Sequence, residues 1–491
     1  MNKPIRTISI FCLLLFLALM INATYLQYYR AGALNDDSRN RRATVESFSR
    51  ERGAILVSRN DPVAESVPSK DKYEFQRVYP KPLMYAPVTG WFSYFTQTGI
   101  EHTRNDILSG EDEQLFVTRL VDLVSNEPTK GGNVLLTLDP DAQQAAYDGL
   151  KAIGPDVQGA VVALEPSTGK ILAMVSLPTY DPNVLASHDL TAAGDAYKRL
   201  NQDPTEPLLN RAIQTRLPPG STFKVVTAAA AIEKGLYTAD SLVPGGETYQ
   251  LPLTSGPTGL IDNEGRSCGA NGSKIPFTQA MEQSCNTSFA QIAGEVGAED
   301  MAKTAEAFGF NSGYLKDLFP QAESVFPNDI DEAQLGQTGF GQFDVAATPL
   351  QMAMVVAGLA NGGSVMTPYV VDEEQSADFD VLSKAEPDEL SQAVSSTTAR
   401  EVTKLMVATV ENGTASPAAI DGIQVAGKTG TAQAGETDRS PYAWFISFAP
   451  ADNPEVAVAV MIQKSDIPRD EIAGGLLGGP IAKAVMEAVI R

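Results

Sequence analysis

The first thirty residues contain one long apolar run. Residues 8–26 are predominantly apolar, and about 19 residues in a helix can cross the hydrocarbon core of a bilayer. Lys3 and Arg6 precede the run, which favours a cytoplasmic tail at residues 1–7 and an extracytoplasmic location for the chain after the run. Because no small-x-small cleavage pattern follows, we expect a single-pass anchor in the cell membrane, with a cleaved signal peptide as the alternative.

Polar and charged residues with frequent prolines follow the anchor, interrupted by short β-prone pieces such as residues 73–79. This pattern is typical of a small, loop-rich domain. The pattern changes at residues 131–132, and Asp139 soon supplies the N-cap of a regular amphipathic helix. We therefore place an N-terminal domain at residues 27–135 and a second domain at residues 136–491.

The second domain has strand-like segments at both ends and a helical middle. Two apolar runs joined by a Pro-Ser-Thr-Gly turn predict a hairpin, and residues 218–361 are mostly helical in pattern. The predicted strands are residues 133–138, 159–165, 170–176, 423–433, 443–448 and 456–463, and the predicted flanking helices are residues 139–153 and 481–490. A sheet covered by helices makes this an α+β fold.

Composition excludes several classes of protein. Two histidines and three cysteines are too few for a Cys/His zinc cluster or an iron–sulfur site, so metal chemistry would have to rest on carboxylates. We expect no metal and no cofactor. The chain has 37 basic and 60 acidic residues and a net charge of −23, which argues against a nucleic-acid partner. Neither His102 nor His188 resembles a triad base, and His188 is expected in a surface loop.

Two cysteines lie in the part of the chain expected outside the membrane. An oxidising compartment allows Cys268 and Cys285 to form a disulfide. The bond would close a loop of about 18 residues and contribute about 3 kcal/mol through loop-closure entropy. Two free thiols are the alternative.

The first element with clear chemical meaning is Ser221, which follows a Pro-Pro-Gly bend and opens an apolar helix that continues through Lys224. Residues three apart on a helix share a face, so the lysine amine can reach the serine hydroxyl. A buried lysine has a lowered pKa and can act as the base that activates a serine nucleophile. The helix N-terminus also offers N–H groups to a developing oxyanion.

Ser-x-x-Lys occurs at two other places in this chain. Ser69 lies in a charged, polar stretch, and Ser167 lies in the predicted hairpin turn. Only the copy at Ser221 opens an apolar helix, so context favours it as the reactive serine.

A second element is Ser284-Cys285-Asn286, in which a hydroxyl and an amide two residues apart can project into one cleft from a loop between helices. Ser-x-Asn also begins at Ser38 and Ser58, both in the charged N-terminal segment. Context again selects one copy, because only the one at Ser284 lies in a helical, moderately apolar setting.

The third element, Lys428-Thr429-Gly430-Thr431, lies on a strand-like run. A glycine in a strand allows another backbone to approach closely. A strand beside a cleft can pair with an extended peptide, while the lysine and the threonine hydroxyls bind a terminal carboxylate.

In this order and context, the three elements resemble the motif set of penicillin-binding transpeptidases. The resemblance rests on Ser221-Thr-Phe-Lys224, Ser284-Cys-Asn286, Lys428-Thr-Gly430 and the flanking residues 50–55, 348–353 and 360–363. It implies a penicillin-binding/β-lactamase-like domain, with an antiparallel sheet, helices and an all-helical subdomain, behind a small extended N-terminal domain of dimerisation or pedestal type. The chain is most similar to class B enzymes of the short actinobacterial PbpA type.

The resemblance implies that a serine acyl-enzyme forms on the D-Ala-D-Ala end of a peptidoglycan stem peptide and is resolved by an amine of a neighbouring stem peptide. It further implies covalent inhibition by β-lactams, and a membrane glycosyltransferase partner in cell-wall synthesis during division or growth. The implied roles are nucleophile for Ser221, general base for Lys224, proton relay for Ser284 and Lys428, positioning for Asn286, and substrate binding for Thr429, Gly430 and Thr431.

Three other functions compete with this interpretation. A β-lactamase would need a base that deacylates with water, and the anchor and N-terminal domain disfavour it. A D,D-carboxypeptidase differs only in letting water resolve the acyl-enzyme. A non-catalytic β-lactam sensor or scaffold would not need the complete motif set.

Many relatives carry a different residue at Cys285, but a cysteine nucleophile lacks an adjacent base here.

Overall fold

The computed structural model describes residues 3–30, 45–46, 48–115, 130–433 and 440–490. The Ser-x-Asn copy at Ser38 lies outside the described residues.

The apolar run near the N-terminus forms an exposed helix. A 22-residue α-helix spans Lys3–Thr24 and continues through a π-helical turn at Tyr25–Tyr29. Leu13 and Phe16 are 70% and 69% exposed. At 1.5 Å per residue the whole helix is about 40 Å long, and its length and composition suit a single membrane anchor.

A six-stranded sheet connects the N-terminal domain to the rest of the protein. The strand predicted at 133–138 is observed as Asn133–Leu136, and it pairs in parallel with Ile55–Ser58. Its other neighbour, Val371–Gln375, comes from the second domain. The strand order is Val381–Lys384, Val371–Gln375, Asn133–Leu136, Ile55–Ser58, Asp61–Pro68 and Phe75–Val78. The two parts of the chain therefore share backbone hydrogen bonds across one sheet.

A buried ion cluster supports this sheet. The Glu101 carboxylate accepts hydrogen bonds from Arg52 Nε and Arg77 Nε, each at 2.6 Å, and from the Tyr79 hydroxyl at 3.0 Å. Burial opposes ionisation of Glu101, but the two guanidinium groups hold its pKa below the usual value. Removal of one partner would leave an uncompensated buried charge.

The second domain is built on a five-stranded antiparallel sheet, and the predicted α+β class is confirmed. The strand order is Ala426–Ala432, Tyr442–Ala449, Val456–Lys464, Gln158–Leu164 and Ile171–Leu177, so the other five of the six predicted strands are all present in this sheet. Helices Pro140–Lys151 and Gly474–Val489 pack together against this sheet, and Pro349–Ala360 packs against the same strands.

The central segment contains helices and also short strands that the sequence pattern did not indicate. Leu242–Pro244 pairs with Lys274–Pro276, Thr248–Gln250 pairs with Leu260–Asp262, and Ser364–Met366 pairs with Glu389–Gln392. Strands of three or four residues are too short to produce a recognisable alternation. After the anchor, the α-helices whose bounds fall within the described residues are Pro82–Thr89, Gly99–Thr103, Asn105–Ser109, Pro140–Lys151, Leu190–Asn201, Arg211–Gln214, Lys224–Glu233, Phe277–Glu282, Asn286–Val296, Ala298–Ala307, Glu332–Thr338, Pro349–Ala360, Ser396–Asn412 and Gly474–Val489.

The last helix begins earlier than predicted. It spans Gly474–Val489 instead of 481–490, and its first turns contain four glycines and a proline that disfavour a helix on propensity alone. A Cβ atom at Gly474 would lie 2.1 Å from the Trp444 carbonyl oxygen, and one at Gly478 would lie 2.5 Å from Phe445 Cβ. Tertiary packing therefore outweighs propensity, because only glycine lets the helix lie directly on the sheet.

Gly478→Ala should lower the free energy of unfolding by about 1–3 kcal/mol, because the added methyl group overpacks the helix–sheet contact. Gly194→Ala is the matched control, since nothing lies within 4 Å of a Cβ atom placed there in helix Leu190–Asn201. That change should stabilise the protein by about 0.5–1 kcal/mol. Urea unfolding of the full-length protein in detergent measures both, and equal effects at the two positions would contradict the packing argument.

Candidate active site

Ser221 lies in a tight turn that leads directly into a helix. The 3₁₀ turn Gly220–Phe223 is followed without a break by the α-helix Lys224–Glu233. Gly220 has a φ of +53°, a conformation that favours glycine, and a Cβ atom there would lie 3.0 Å from the Ala432 side chain. Lys224 is fully buried, and its Nζ lies 3.0 Å from Ser221 Oγ.

The second motif surrounds the same amine. Lys224 Nζ is 2.8 Å from the Ser284 carbonyl oxygen, 3.1 Å from Ser284 Oγ and 2.7 Å from Asn286 Oδ1. Ser284 connects helices Phe277–Glu282 and Asn286–Val296 with a φ of +56°, a left-handed conformation that is uncommon for serine. In this conformation, the carbonyl oxygen and the hydroxyl oxygen of Ser284 both lie beside Lys224.

The third motif brings a second lysine to Ser284. Lys428 lies on Ala426–Ala432, an edge strand of the five-stranded sheet, and its side chain is fully buried. Its Nζ is 2.9 Å from Ser284 Oγ and 2.9 Å from the Thr429 carbonyl oxygen. The Ser284 hydroxyl therefore lies between two buried amines.

Burial is the main reason why the pKa of Lys224 lies well below the usual value for lysine, and the nearby charges of Lys428 and Arg266 lower it further while Glu264 opposes them. The pKa of Lys428 is also lowered well below its usual value, first by burial and then by Arg266. Two buried amines that share one hydroxyl cannot both be protonated without strong repulsion. The geometry therefore favours a neutral amine.

The remaining residues of the third motif have different surroundings. Thr431 lines the cleft beside Ser221, whereas Thr429 Oγ1 lies 2.8 Å from Thr414 Oγ1. A Cβ atom at Gly430 would lie 2.9 Å from the Pro219 carbonyl oxygen, so glycine lets the strand approach the Ser221 turn.

These motifs surround a cleft of about 300 Å³. Several residues of its wall carried no recognisable signal in the sequence, because they come from short strands, turns and a helix that only the tertiary fold brings together. The described lining residues are Ser221, Leu260, Ile261, Asp262, Glu264, Asn286, Gln337, Phe340, Gln342, Thr431 and Gln433.

Cys268 and Cys285 are both buried and are joined by a disulfide in the structure, with Cα atoms 5.8 Å apart. Hydrogen bonds reinforce the same connection. Asn286 Nδ2 donates to the Asp262 carbonyl oxygen at 3.1 Å, and the Thr287 amide donates to Asn263 Oδ1 at 3.1 Å. The segment that ends at Cys268 is therefore tied to the second motif at several points.

The other motif copies lie elsewhere. Ser69 follows strand Asp61–Pro68, Ser167 lies in the turn before Ile171–Leu177, and Ser58 ends a strand of the six-stranded sheet. His188, expected at the surface, is half-buried instead. Its imidazole is paired with Asp71 and packs against aromatic rings of the N-terminal domain.

Among the described residues, no group of three or more His, Cys, Asp or Glu side chains is arranged to hold a metal ion.

These side chains define a Ser–Lys acyltransferase site. It consists of a serine, a buried lysine three residues later, a second lysine on a sheet edge, and another serine whose hydroxyl lies between the two lysine amines. The chain belongs to the penicillin-binding protein family. The family model of the penicillin-binding protein transpeptidase domain matches residues 159–487, and that of the penicillin-binding protein A dimerisation domain matches residues 52–134. The boundary at 135/136 stays a prediction.

Individual relatives agree with this assignment. The chain is 42% identical to the peptidoglycan D,D-transpeptidase PbpA of Mycolicibacterium smegmatis, over all of this chain and 99% of that protein. The ceftriaxone acyl-enzyme of penicillin-binding protein A from Mycobacterium tuberculosis is 41% identical with a TM-score of 0.86, over 91% of this chain and 100% of that one. A D,D-transpeptidase domain from Eggerthella lenta is 33% identical with a TM-score of 0.74, over 90% of this chain and 98% of that one.

Reduction of the disulfide should slow acylation by penicillin more than it lowers thermal stability, because Cys285 lies between Ser284 and Asn286. Thiol titration of the unfolded, unreduced full-length protein should find one thiol, Cys12, and three after reduction. A Cys268→Ala/Cys285→Ala variant tests the effect of the bond on acylation, whose rate is measured by intact-protein mass spectrometry. Three thiols before reduction, or unchanged acylation in that variant, would contradict this role.

Proposed function

We propose that this protein is a serine-type peptidoglycan D,D-transpeptidase, which cross-links stem peptides and is inactivated by β-lactams that acylate Ser221. Relatives with this activity in their names, and related β-lactam acyl-enzymes, support the assignment. The observation that carries it is the distance of 3.0 Å between Lys224 Nζ and Ser221 Oγ in a buried site.

The hydrogen bonds of Lys224 support its role as the general base. The Ser284 carbonyl oxygen and Asn286 Oδ1 can only accept hydrogen bonds, and they lie 2.8 and 2.7 Å from Nζ. A neutral amine has two N–H groups and one lone pair. If both N–H groups are donated to these oxygens, the lone pair is left for the proton of Ser221 Oγ.

In the acylation step, Ser221 Oγ forms a bond to the carbonyl carbon between two terminal D-alanines and passes its proton to Lys224. Collapse of the tetrahedral intermediate breaks the C–N bond, and the leaving D-alanine amine must receive a proton. The Ser284 hydroxyl, 3.1 Å from Lys224 Nζ and 2.9 Å from Lys428 Nζ, provides a relay for that proton.

Substrate binding is assigned to the sheet edge. Among the described strands, Ala426–Ala432 pairs with Tyr442–Ala449 alone, and we assign its other edge to an extended peptide. Thr431, with Thr429 and Lys428 nearby, would bind the terminal carboxylate. The backbone N–H groups of Ser221 and Thr431 would stabilise the oxyanion.

In the second step, an amine of a neighbouring stem peptide attacks the ester carbonyl. The new C–N bond replaces the C–O bond to Ser221, and the amine's proton returns through Lys224 to Oγ. Water at the same position would give D,D-carboxypeptidase activity, and the family membership of the chain favours transfer.

We place the catalytic domain outside the membrane, with the tail that carries Lys3 and Arg6 in the cytoplasm. A disulfide between Cys268 and Cys285 agrees with an extracytoplasmic location. Because cross-linking consumes stem peptides on polymerised glycan strands, we propose a membrane glycosyltransferase as the partner.

Ser221→Ala should abolish the covalent penicillin adduct in intact-protein mass spectrometry, because the attacking oxygen is lost. Lys224→Met should lower the acylation rate by about 10²–10⁴-fold, the range typical of a lost general base. Ser167→Ala is the matched control, since it removes the serine of another Ser-x-x-Lys copy and should acylate normally. An adduct that maps to any serine other than Ser221 would overturn the mechanism.

Removal of residues 1–30 should give a water-soluble protein that retains the acylation rate of the full-length chain, because the site is formed by residues after 219. Membrane flotation and penicillin labelling test the two halves of this prediction. A well-folded truncated protein that does not bind penicillin would contradict the separation of anchor and catalytic domain.

A further inference from the structure

The helix that begins at Asn286 receives its N-terminal cap from a distant part of the chain. Its own N-cap residue is Cys285, whose side chain forms the disulfide and makes no capping hydrogen bond among the described residues. The Thr287 N–H, one of the amides that a helix start leaves without a partner inside the helix, donates to Asn263 Oδ1 at 3.1 Å. Asn263, which follows strand Leu260–Asp262, therefore caps this helix from outside.

Asn263 is itself held on several sides. It is 2% exposed, and its Nδ2 donates to the Gly246 carbonyl oxygen at 2.7 Å. The Thr287 hydroxyl joins the same two groups, since it lies 2.8 Å from the Gly246 carbonyl oxygen and 3.2 Å from Asn263 Oδ1. A buried asparagine whose donor and acceptor are both used is costly to reorient. The backbone beside Asn263 is therefore fixed relative to the start of the helix.

The preceding residue, Asp262, contacts the catalytic machinery through its backbone. Its carbonyl oxygen accepts from Asn286 Nδ2 at 3.1 Å, and a carbonyl oxygen can only accept hydrogen bonds. The nitrogen of the Asn286 carboxamide must therefore face Asp262, and its oxygen faces Lys224 Nζ at 2.7 Å. A carboxamide turned the other way would direct N–H groups at the amine, where they would compete for the lone pair that must receive the proton of Ser221.

We propose that Asn263 is a positioning residue for acylation, which holds the Asp262 carbonyl oxygen against the Asn286 side chain. The oxygen of Asn286 then stays directed at Lys224. The inference rests on the proposed function and extends it to a residue outside the three motifs. Because Asn263 acts through Asn286, its contribution to the acylation rate should vanish when the Asn286 carboxamide is absent.

The test is the maximal rate constant for acylation by penicillin, measured on the full-length protein in detergent by intact-protein mass spectrometry. Asn263→Ala should lower this rate constant by about 10- to 100-fold, because a small displacement of the group that orients the base is sufficient for such a loss. Asn263→Ser, whose hydroxyl is too short to reach both partners, should give a similar loss in a more polar variant. The adduct should still form on Ser221.

A double-mutant cycle shows whether Asn263 acts through Asn286. Asn286→Ala removes the carboxamide itself and should lower the rate constant by at least as much as Asn263→Ala, so long incubations are used for the slow variants. Adding Asn263→Ala to the Asn286→Ala variant should change the rate constant by less than about twofold, because the group that Asn263 positions is already absent. A merely structural role would lower the rate constant again by the full factor.

Asn133→Ala is the matched control. Asn133 is 5% exposed; its Oδ1 accepts from the Ala54 N–H at 2.8 Å, and its Nδ2 donates to the Ser376 carbonyl oxygen at 3.0 Å. It lies in the six-stranded sheet, away from the cleft. Its loss should lower the midpoint of thermal unfolding to a similar extent as Asn263→Ala and leave the acylation rate constant unchanged.

Acylation at the unmodified rate in a folded Asn263→Ala or Asn263→Ser protein would overturn the inference. So would an equal loss of acylation in Asn133→Ala, or a full further loss when Asn263→Ala is added to Asn286→Ala. Absence of acylation in the unmodified protein would instead contradict the proposed function.

Discussion

The structure of the site depends on burying two lysine amines around one serine hydroxyl. Lys224 and Lys428 are both fully buried, and each lies within hydrogen-bond distance of Ser284 Oγ. Burial of an ammonium group is costly, so the free energy of the folded state favours loss of a proton from this pair. In the proposed mechanism, the same desolvation that opposes charge on the lysines supplies a base for Ser221. Polar contacts from Asn286 and the Ser284 backbone then orient the neutral amine.

Close backbone packing keeps these groups in place. A Cβ atom at Gly430 would meet the Pro219 carbonyl oxygen at 2.9 Å, and one at Gly474 would meet the Gly430 carbonyl oxygen at 2.4 Å. The edge strand therefore lies between the turn that carries Ser221 and the start of the last helix. Since each layer touches the next through backbone atoms, a displacement in one layer would be transmitted to the distance between Ser221 and the lysines.

Local patterns in the sequence predicted the parts of the fold that are themselves local. The five strands of the main sheet had apolar or strand-like patterns, and the three motifs were selected by their helical or strand context. Three other features depend on contacts between distant segments. They are the shared sheet that includes Val371–Gln375, the early start of the last helix at Gly474 and the half-buried position of His188. Glu264 was missed for the same reason: its turn resembles any polar loop until the tertiary fold places it on the wall of the cleft.

The central claim is that Lys224 is neutral when Ser221 attacks. ¹³C NMR of protein labelled at the lysine ε-carbons measures this directly, with the Lys224 signal assigned by its loss in a Lys224→Met variant. The account predicts that Lys224 titrates well below the usual lysine value of about 10.4 and shows the chemical shift of a free amine at the pH at which acylation is fast. A Lys224 signal that stays at the ammonium position up to pH values near about 10 would contradict it.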